Sequence, residues 1–148
     1  MATAALPRKM SYAEYLAFEE ASETKHEFIR GEVFAMAGGT ITHGALAVAV
    51  STALSNALRG RRCRVLSSDV RIKIGDFSSY PDASVVCNAI ENDSKDRHSV
   101  LNPTILVEVL SDSTEVYDRV IKFEHYRGIA AFREYVLVSQ HTDRKSVV

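Results

Sequence analysis

The sequence has little net charge, few cysteines and no long apolar run, and each lack removes a class of explanation. Lys and Arg total 18 against 19 Asp and Glu, a formal net charge of -1. No global positive field therefore draws this chain toward nucleic acid, and any such binding has to rest on a local patch. Cys63 and Cys87 lack CxxC spacing, and the five histidines show no zinc-ligand pattern. The two cysteines are expected to be small core residues in a reduced cytoplasm. No apolar stretch approaches the roughly 18 residues that a membrane helix requires, and the opening stretch Met1 to Lys9 lacks the charged-then-apolar order of a secretory signal. A soluble, cytoplasmic protein with no internal repeat is the expectation.

What is present is enough for one domain: 148 residues, 46% hydrophobic, can bury a working core. Ser11 followed three residues later by Glu14 is a capping box that opens a helix from Tyr12 to about Glu20. Arg30-Gly31 sits between two apolar stretches within His26 to Met36 and predicts a hairpin. Leu46, Val50, Leu54 and Leu58 recur every four residues among alanines, so His43 to Leu58 reads as a helix buried on most sides, with Gly60 ending it. Strands are expected around Cys63 to Leu66, Val70 to Ile74, Asp82 to Cys87, Ile105 to Leu110 and Glu134 to Ser139, with a helix from about Thr114 to Arg127. Asn88 to Asn102, polar and charged, is expected to be a mobile surface loop. Strands interrupted by helices predict an α/β (α+β) fold, a mixed sheet flanked by helices.

Glu108 is the one polar side chain in Ile105-Leu-Val-Glu-Val-Leu110. Alternation makes both faces of that strand apolar, so the strand is central and the carboxylate lies in or at the rim of a buried layer. Such a charge must be neutralised, paired or bound to a metal. An arginine partner or a solvent-reaching sheet edge would suffice, but Asp82, introduced by Pro81, offers a second carboxylate. Hard divalent cations such as magnesium want oxygen ligands and keep several waters, so two carboxylates from neighbouring strands and one backbone carbonyl, that of Val109, make a site. Other signals are weaker. Gly38-Gly-Thr40 lacks a P-loop lysine and reads as the loop before a helix. His43 at the start of that helix reads as a capping or packing residue. Arg59, Arg61, Arg62, Arg64, Arg71 and Lys73 could track phosphates or simply form solvated faces.

Five ordered segments carry a resemblance: His26 to Glu32, Tyr80 to Val86, Val107 to Thr114, Asp118 to Tyr126 and Glu134 to Val138. Together, from about Ser11 to the end, they resemble the Uma-type restriction endonuclease family of the PD-(D/E)xK nuclease superfamily. The resemblance implies a restriction-endonuclease-like core in which Asp82 and Glu108 bind magnesium, or manganese in its place, for cutting DNA. The motif's lysine should stand at position 110, where this chain has Leu110. The resemblance therefore assigns the cation to Lys122 on the following helix. On a helix of about 100° per residue, Lys122 falls near Asp118 and Tyr126, off a core stripe of Val116, Val120 and Phe123, so it is expected to lean over the sheet edge toward Glu108 without being buried. A further acid from the front of the fold is implied, Glu27 or its rival Glu32, with Gln140 and Tyr126 as supporting candidates. The lysine could instead be only the i, i+4 partner of Asp118, worth about 0.2 to 0.5 kcal/mol. A homodimer is expected, since double-strand cutting generally needs two sites. The rival class is a nuclease-fold module for binding or assembly without activity, and a third reading is hydrolysis of a smaller phosphate ester. The chain stops at Val148 where the family continues with more strand, which leaves a C-terminal truncation open.

Overall fold

In the computed structural model, which describes residues 2–36, 38–141 and 145–148, local signals give the elements that they predict. The Ser11 hydroxyl accepts the Glu14 amide at 3.2 Å and the Glu14 carboxylate accepts the Ser11 amide at 2.8 Å. This capping box starts α1, Tyr12–Ala21. The hairpin follows as β2, His26–Ile29, and β3, Glu32–Met36. Its turn needs left-handed backbone at Arg30 (φ 48°) and Gly31 (φ 92°), the pair of positive φ values that a tight hairpin demands.

Helix α2, Ile41–Ala57, is N-capped by Thr40, whose hydroxyl accepts the His43 amide. It is followed by β4, Cys63–Ser67, β5, Arg71–Ile74, β6, Phe77–Ser79, and β7, Ala83–Cys87. Then come β8, Ser99–Val100, β9, Ile105–Val109, a π-helical segment Tyr117–Lys122 that continues as the short α3, Phe123–Tyr126, and β10, Glu134–Val138. Two terminal strands that the sequence did not signal, β1, Ala2–Ala5, and β11, Lys145–Val147, lie at sheet edges.

The expected mixed sheet is present but divided. One sheet runs β1-β3-β2-β6-β5-β8 and the other β11-β10-β9-β7-β4. In the second, β9 is central, parallel to β10 and antiparallel to β7, as its two apolar faces require. On one face, Val107, Val109, Ala83 and Val138 pack against Leu46, Val50 and Leu54 of α2. On the other, Leu106, Leu110, Val86 and Leu137 meet Ile72 and Phe77 of the first sheet and Tyr126 of α3. The chemistry of β9 therefore sits between the second sheet and the π-helical segment. Among the described residues no helix is long and apolar enough to cross a membrane.

Several expectations are corrected. Helix α2 is not buried on most sides: the sheet covers the stripe of Leu46, Ala47, Val50 and Leu54, while Ile41 and Val48 are 94% and 67% exposed. The connector after β7 is tied down: its Asp96, 4% exposed, accepts two hydrogen bonds from Arg71, and its Ser99–Val100 pairs with β5. Arg71 is thereby buried in an ion pair, and Lys73 is paired with Asp93 at 3.2 Å, so neither is free to track phosphates. Cys63 and Cys87 are not separate thiols. They face each other in the antiparallel register of β4 and β7 and form a disulfide.

The candidate active site

Strand β9 carries Glu108 into the space under the π-helical segment, where it is 4% exposed. Its Oε1 accepts from the Lys122 ammonium at 2.9 Å and from the Tyr126 hydroxyl at 3.4 Å. Lys122 also lies 3.2 Å from Asp118 Oδ1 and 3.5 Å from Glu27 Oε1. Glu27 comes from β2 in the other sheet, and its second oxygen accepts from the Tyr117 hydroxyl at 2.5 Å. One ammonium thus joins carboxylates from both sheets and from its own helix.

The two candidate acids differ in burial. Glu27 is 3% exposed within the cluster, whereas Glu32 faces solvent at the start of β3. Lys122 stands opposite Glu108 but is buried at 3% exposure and does not lean out at the sheet edge. Asp118, Lys122 and Tyr126, spaced four apart, form one row of the helix, and that row faces inward, where Lys122 meets Glu27 and Glu108. Val116 and Val120 on the opposite side are 76% and 54% exposed. Of the expected stripe only Phe123 packs against the core.

Asp82 stands just before β7, at the register position that continues Ala83↔Val107 toward Glu108. Its Oδ2 accepts the Val109 amide at 2.7 Å and its Oδ1 lies 3.2 Å from His43 Nε2. Asp82 therefore engages α2 while Glu108 engages the π-helical segment, and both border one cavity of about 280 Å³ together with Glu27, Val109, Asp118 and Lys122. His43 is the residue that sequence reasoning missed. Its place near the start of α2 was legible, but α2 is capped by Thr40, and the contact of His43 with Asp82 benefits from the absence of a side chain at Gly39, where a Cβ would stand 2.8 Å from His43 Nδ1. Gln140 stands at the rim: its amide donates to the Leu110 carbonyl at 2.8 Å, and its oxygen accepts from the Thr40 hydroxyl at 2.9 Å. Tyr126 is held by Ser79 at 2.6 Å.

The electrostatics follow from one cation among several acids. Burial pushes Glu108 well above the ordinary carboxylate range, against the pull of Lys122 and with Asp118 and Asp82 adding to the rise. Burial also raises Asp118. Burial works against the Lys122 ammonium, but Glu108 and Glu27 outweigh it and hold its pKa well above the usual lysine value. The hydrogen bond to Asp82 raises the His43 imidazole. With Glu27, Asp82, Glu108 and Asp118 around the one lysine of the cavity, Lys122, the cluster favours either protons or an added cation. Among the described residues no group of three or more His, Cys, Asp or Glu is already gathered around one point for a metal.

Comparison with known proteins gives the family context. The model of the Uma2 family, described as "Putative restriction endonuclease", matches residues 12–148. Two uncharacterized proteins of Synechocystis sp. are similar: slr1290 is 41% identical over 133 residues, covering 88% of this chain and 69% of that protein. The second, sll1609, is 34% identical over 142 residues, covering 95% and 80%. A crystal structure of a "putative nuclease belonging to DUF820" from Anabaena variabilis has the same fold, with a TM-score of 0.66 at 17% identity over 91% of this chain and 82% of that one.

Proposed function

The chain belongs to the Uma2 family, and from that premise we propose that it is a divalent-metal-dependent DNA endonuclease acting at the cavity between β9 and the π-helical segment. The observation that carries this reading is the buried Lys122 with Glu108, Glu27 and Asp118 around it, bordering the same cavity as Asp82. A purely structural ion pair needs one acid, and the surplus of carboxylates here suits a cationic ligand.

The donor chemistry fits a hard cation. Asp82, Glu108 and the Val109 carbonyl supply oxygen only, and magnesium or manganese would complete its shell with water. When bound, the metal would polarise the phosphate and lower the pKa of a water. The chain's own residues do the rest. Lys122, kept charged by its acids, supplies positive charge where negative charge develops at the phosphate. Glu27 and Asp118 hold the ammonium in position, and the Val109 amide and His43 orient Asp82. Tyr126, fixed by Ser79, orients Glu108.

The test is cleavage of plasmid and oligonucleotide DNA with magnesium, beside an Asp82→Ala control. Cleavage that requires the metal and is lost in the control supports the proposal; cleavage unchanged in that control overturns it. A homodimer is part of the proposal, and light scattering under cleavage conditions tests it. A second reading, a nuclease-fold module without activity, is favoured by the way that Lys122 already closes the acids of Glu108 and Asp118. Calorimetric titration with magnesium separates the two, because only the nuclease requires a cation site that depends on Asp82.

A further inference from the structure

At the end of the five-stranded sheet away from Asp82 lies a group of arginines with no acid beside them. Arg8, Arg71, Arg119 and Arg127 all have carboxylate partners. Arg61, Arg62 and Arg64 have none among the described residues, and all three are exposed. With Asn88 they border a surface cavity of about 410 Å³.

Their backbone is held firmly. Gly60 turns the chain at φ 82°, the Arg61 amide donates to the Leu58 carbonyl at 3.0 Å, and the Asn88 amide donates to the Arg62 carbonyl at 2.6 Å. The Cys63–Cys87 disulfide crosses the strand pair between Arg62 and Arg64. Unpaired guanidinium groups on a fixed backbone lose little freedom on meeting a ligand, and their planar forks match phosphate oxygens.

The candidate active site creates the need for such a contact. It gathers Glu27, Asp82, Glu108 and Asp118, the chain as a whole is at -1, and neither feature attracts a polyanion. Affinity for DNA comes mainly from phosphates neutralised by Lys and Arg. Asp82 precedes β7 and Cys87 ends it, so at about 3.3 Å per residue the arginine end lies roughly 17 Å from Asp82. That is about five steps of a duplex at about 3.4 Å each, within the footprint of a substrate whose scissile phosphate is at Asp82.

We propose that Arg61, Arg62 and Arg64 form a sequence-independent contact for the backbone phosphates of duplex DNA, remote from the cutting site. The proposal rests on the nuclease reading for the identity of the substrate, but it can be tested without cleavage. Fluorescence anisotropy with a labelled duplex, in EDTA, gives affinity as a function of salt. Compared with the wild-type chain, the triple variant Arg61→Gln, Arg62→Gln, Arg64→Gln is expected to bind more than about tenfold more weakly. Its slope of log K against log salt should be smaller by about 2 to 3, since each lost phosphate contact removes about 0.9. The control variant Lys9→Gln, Lys95→Gln, Arg97→Gln removes the same charge from exposed positions elsewhere and should change binding by less than about twofold, with the slope kept. Equal loss in both variants, an unchanged slope in the arginine variant, or no duplex binding by the wild-type chain overturns the proposal. Absence of cleavage with magnesium overturns the nuclease reading alone and leaves the binding comparison intact. Circular dichroism checks that each variant is folded.

Discussion

Replacing Lys122 by Met keeps most of the stem's volume and removes the one ammonium that Glu27, Glu108 and Asp118 share. The side chains of Lys122, Glu27 and Asp118 are each 4% exposed and that of Glu108 is 5% exposed. If Lys122 were only the helical partner of Asp118, its loss would cost about 0.2 to 0.5 kcal/mol. Leaving buried carboxylates without their cation costs about 3 to 5 kcal/mol, a large part of the roughly 5 to 15 kcal/mol that holds a domain together. Lys122→Met is therefore expected to lower stability by several kcal/mol as well as to abolish cleavage, so the expectation that the position is unburied is corrected in its consequences too. Protons moderate the loss. Glu108 and Asp118 have folded pKa values raised above their unfolded ones, so the folded state binds more protons in the window between. Stability from this cluster is fully present below the ordinary carboxylate range and is lost as pH rises through the raised values. The variant, without the ammonium, should show the steeper fall. Urea unfolding at mildly acidic and mildly alkaline pH measures both effects, and adding Glu108→Gln to Lys122→Met should restore part of the stability. A loss of only a few tenths of a kcal/mol, with m unchanged and no dependence on pH, would refute the reasoning.

Three further outcomes are expected. Arg71→Met breaks the bidentate contact with buried Asp96 and should cost about 3 to 5 kcal/mol in urea unfolding, whereas an exposed pair would cost less than about 1 kcal/mol. The His43 imidazole, raised by its hydrogen bond to Asp82, should titrate above the ordinary histidine value by NMR and return toward it in Asp82→Asn. Its contribution to stability is present below the ordinary value and fades as pH rises through the raised one, so a flat wild-type profile there would count against the contact. Replacing Cys63 and Cys87 by Ser opens a link between residues 24 apart and should cost about 3 kcal/mol of thermal or urea stability; no change would mean that the link is not formed in solution.

The parts of the fold that were legible are those whose signal is local. A serine with a glutamate three residues on fixes the start of α1, and Arg30-Gly31 fixes a turn, because both depend on neighbours within a few bonds. Glu108 was legible for a different reason: a carboxylate amid apolar strand residues must be accounted for wherever the strand goes. What was not legible depended on partners distant in sequence. Cys63 meets Cys87 only through the β4–β7 register, Asp96 anchors its connector only because Arg71 waits on β5, and His43 meets Asp82 only across the end of the sheet. The error over the sidedness of Lys122 had another origin. The apolar stripe was taken as the buried face, whereas the row of Asp118 and Lys122 is the one turned inward, because its charges meet Glu27 and Glu108 there.

That segment also determines how the site can fail. In the motif that the resemblance implies, a lysine two positions beyond the acid shares its strand; here Leu110 fills that place, hydrogen-bonded to Val138, and under the proposed function the ammonium comes from a short irregular helix instead. Ordering of the helix and assembly of the charge cluster are then one event. Partial opening of Tyr117 to Tyr126 would disperse the cluster while the central strands stay paired, since such openings need less free energy than global unfolding. Hydrogen exchange in this stretch should therefore track loss of function on warming, ahead of the exchange of β9 and β10.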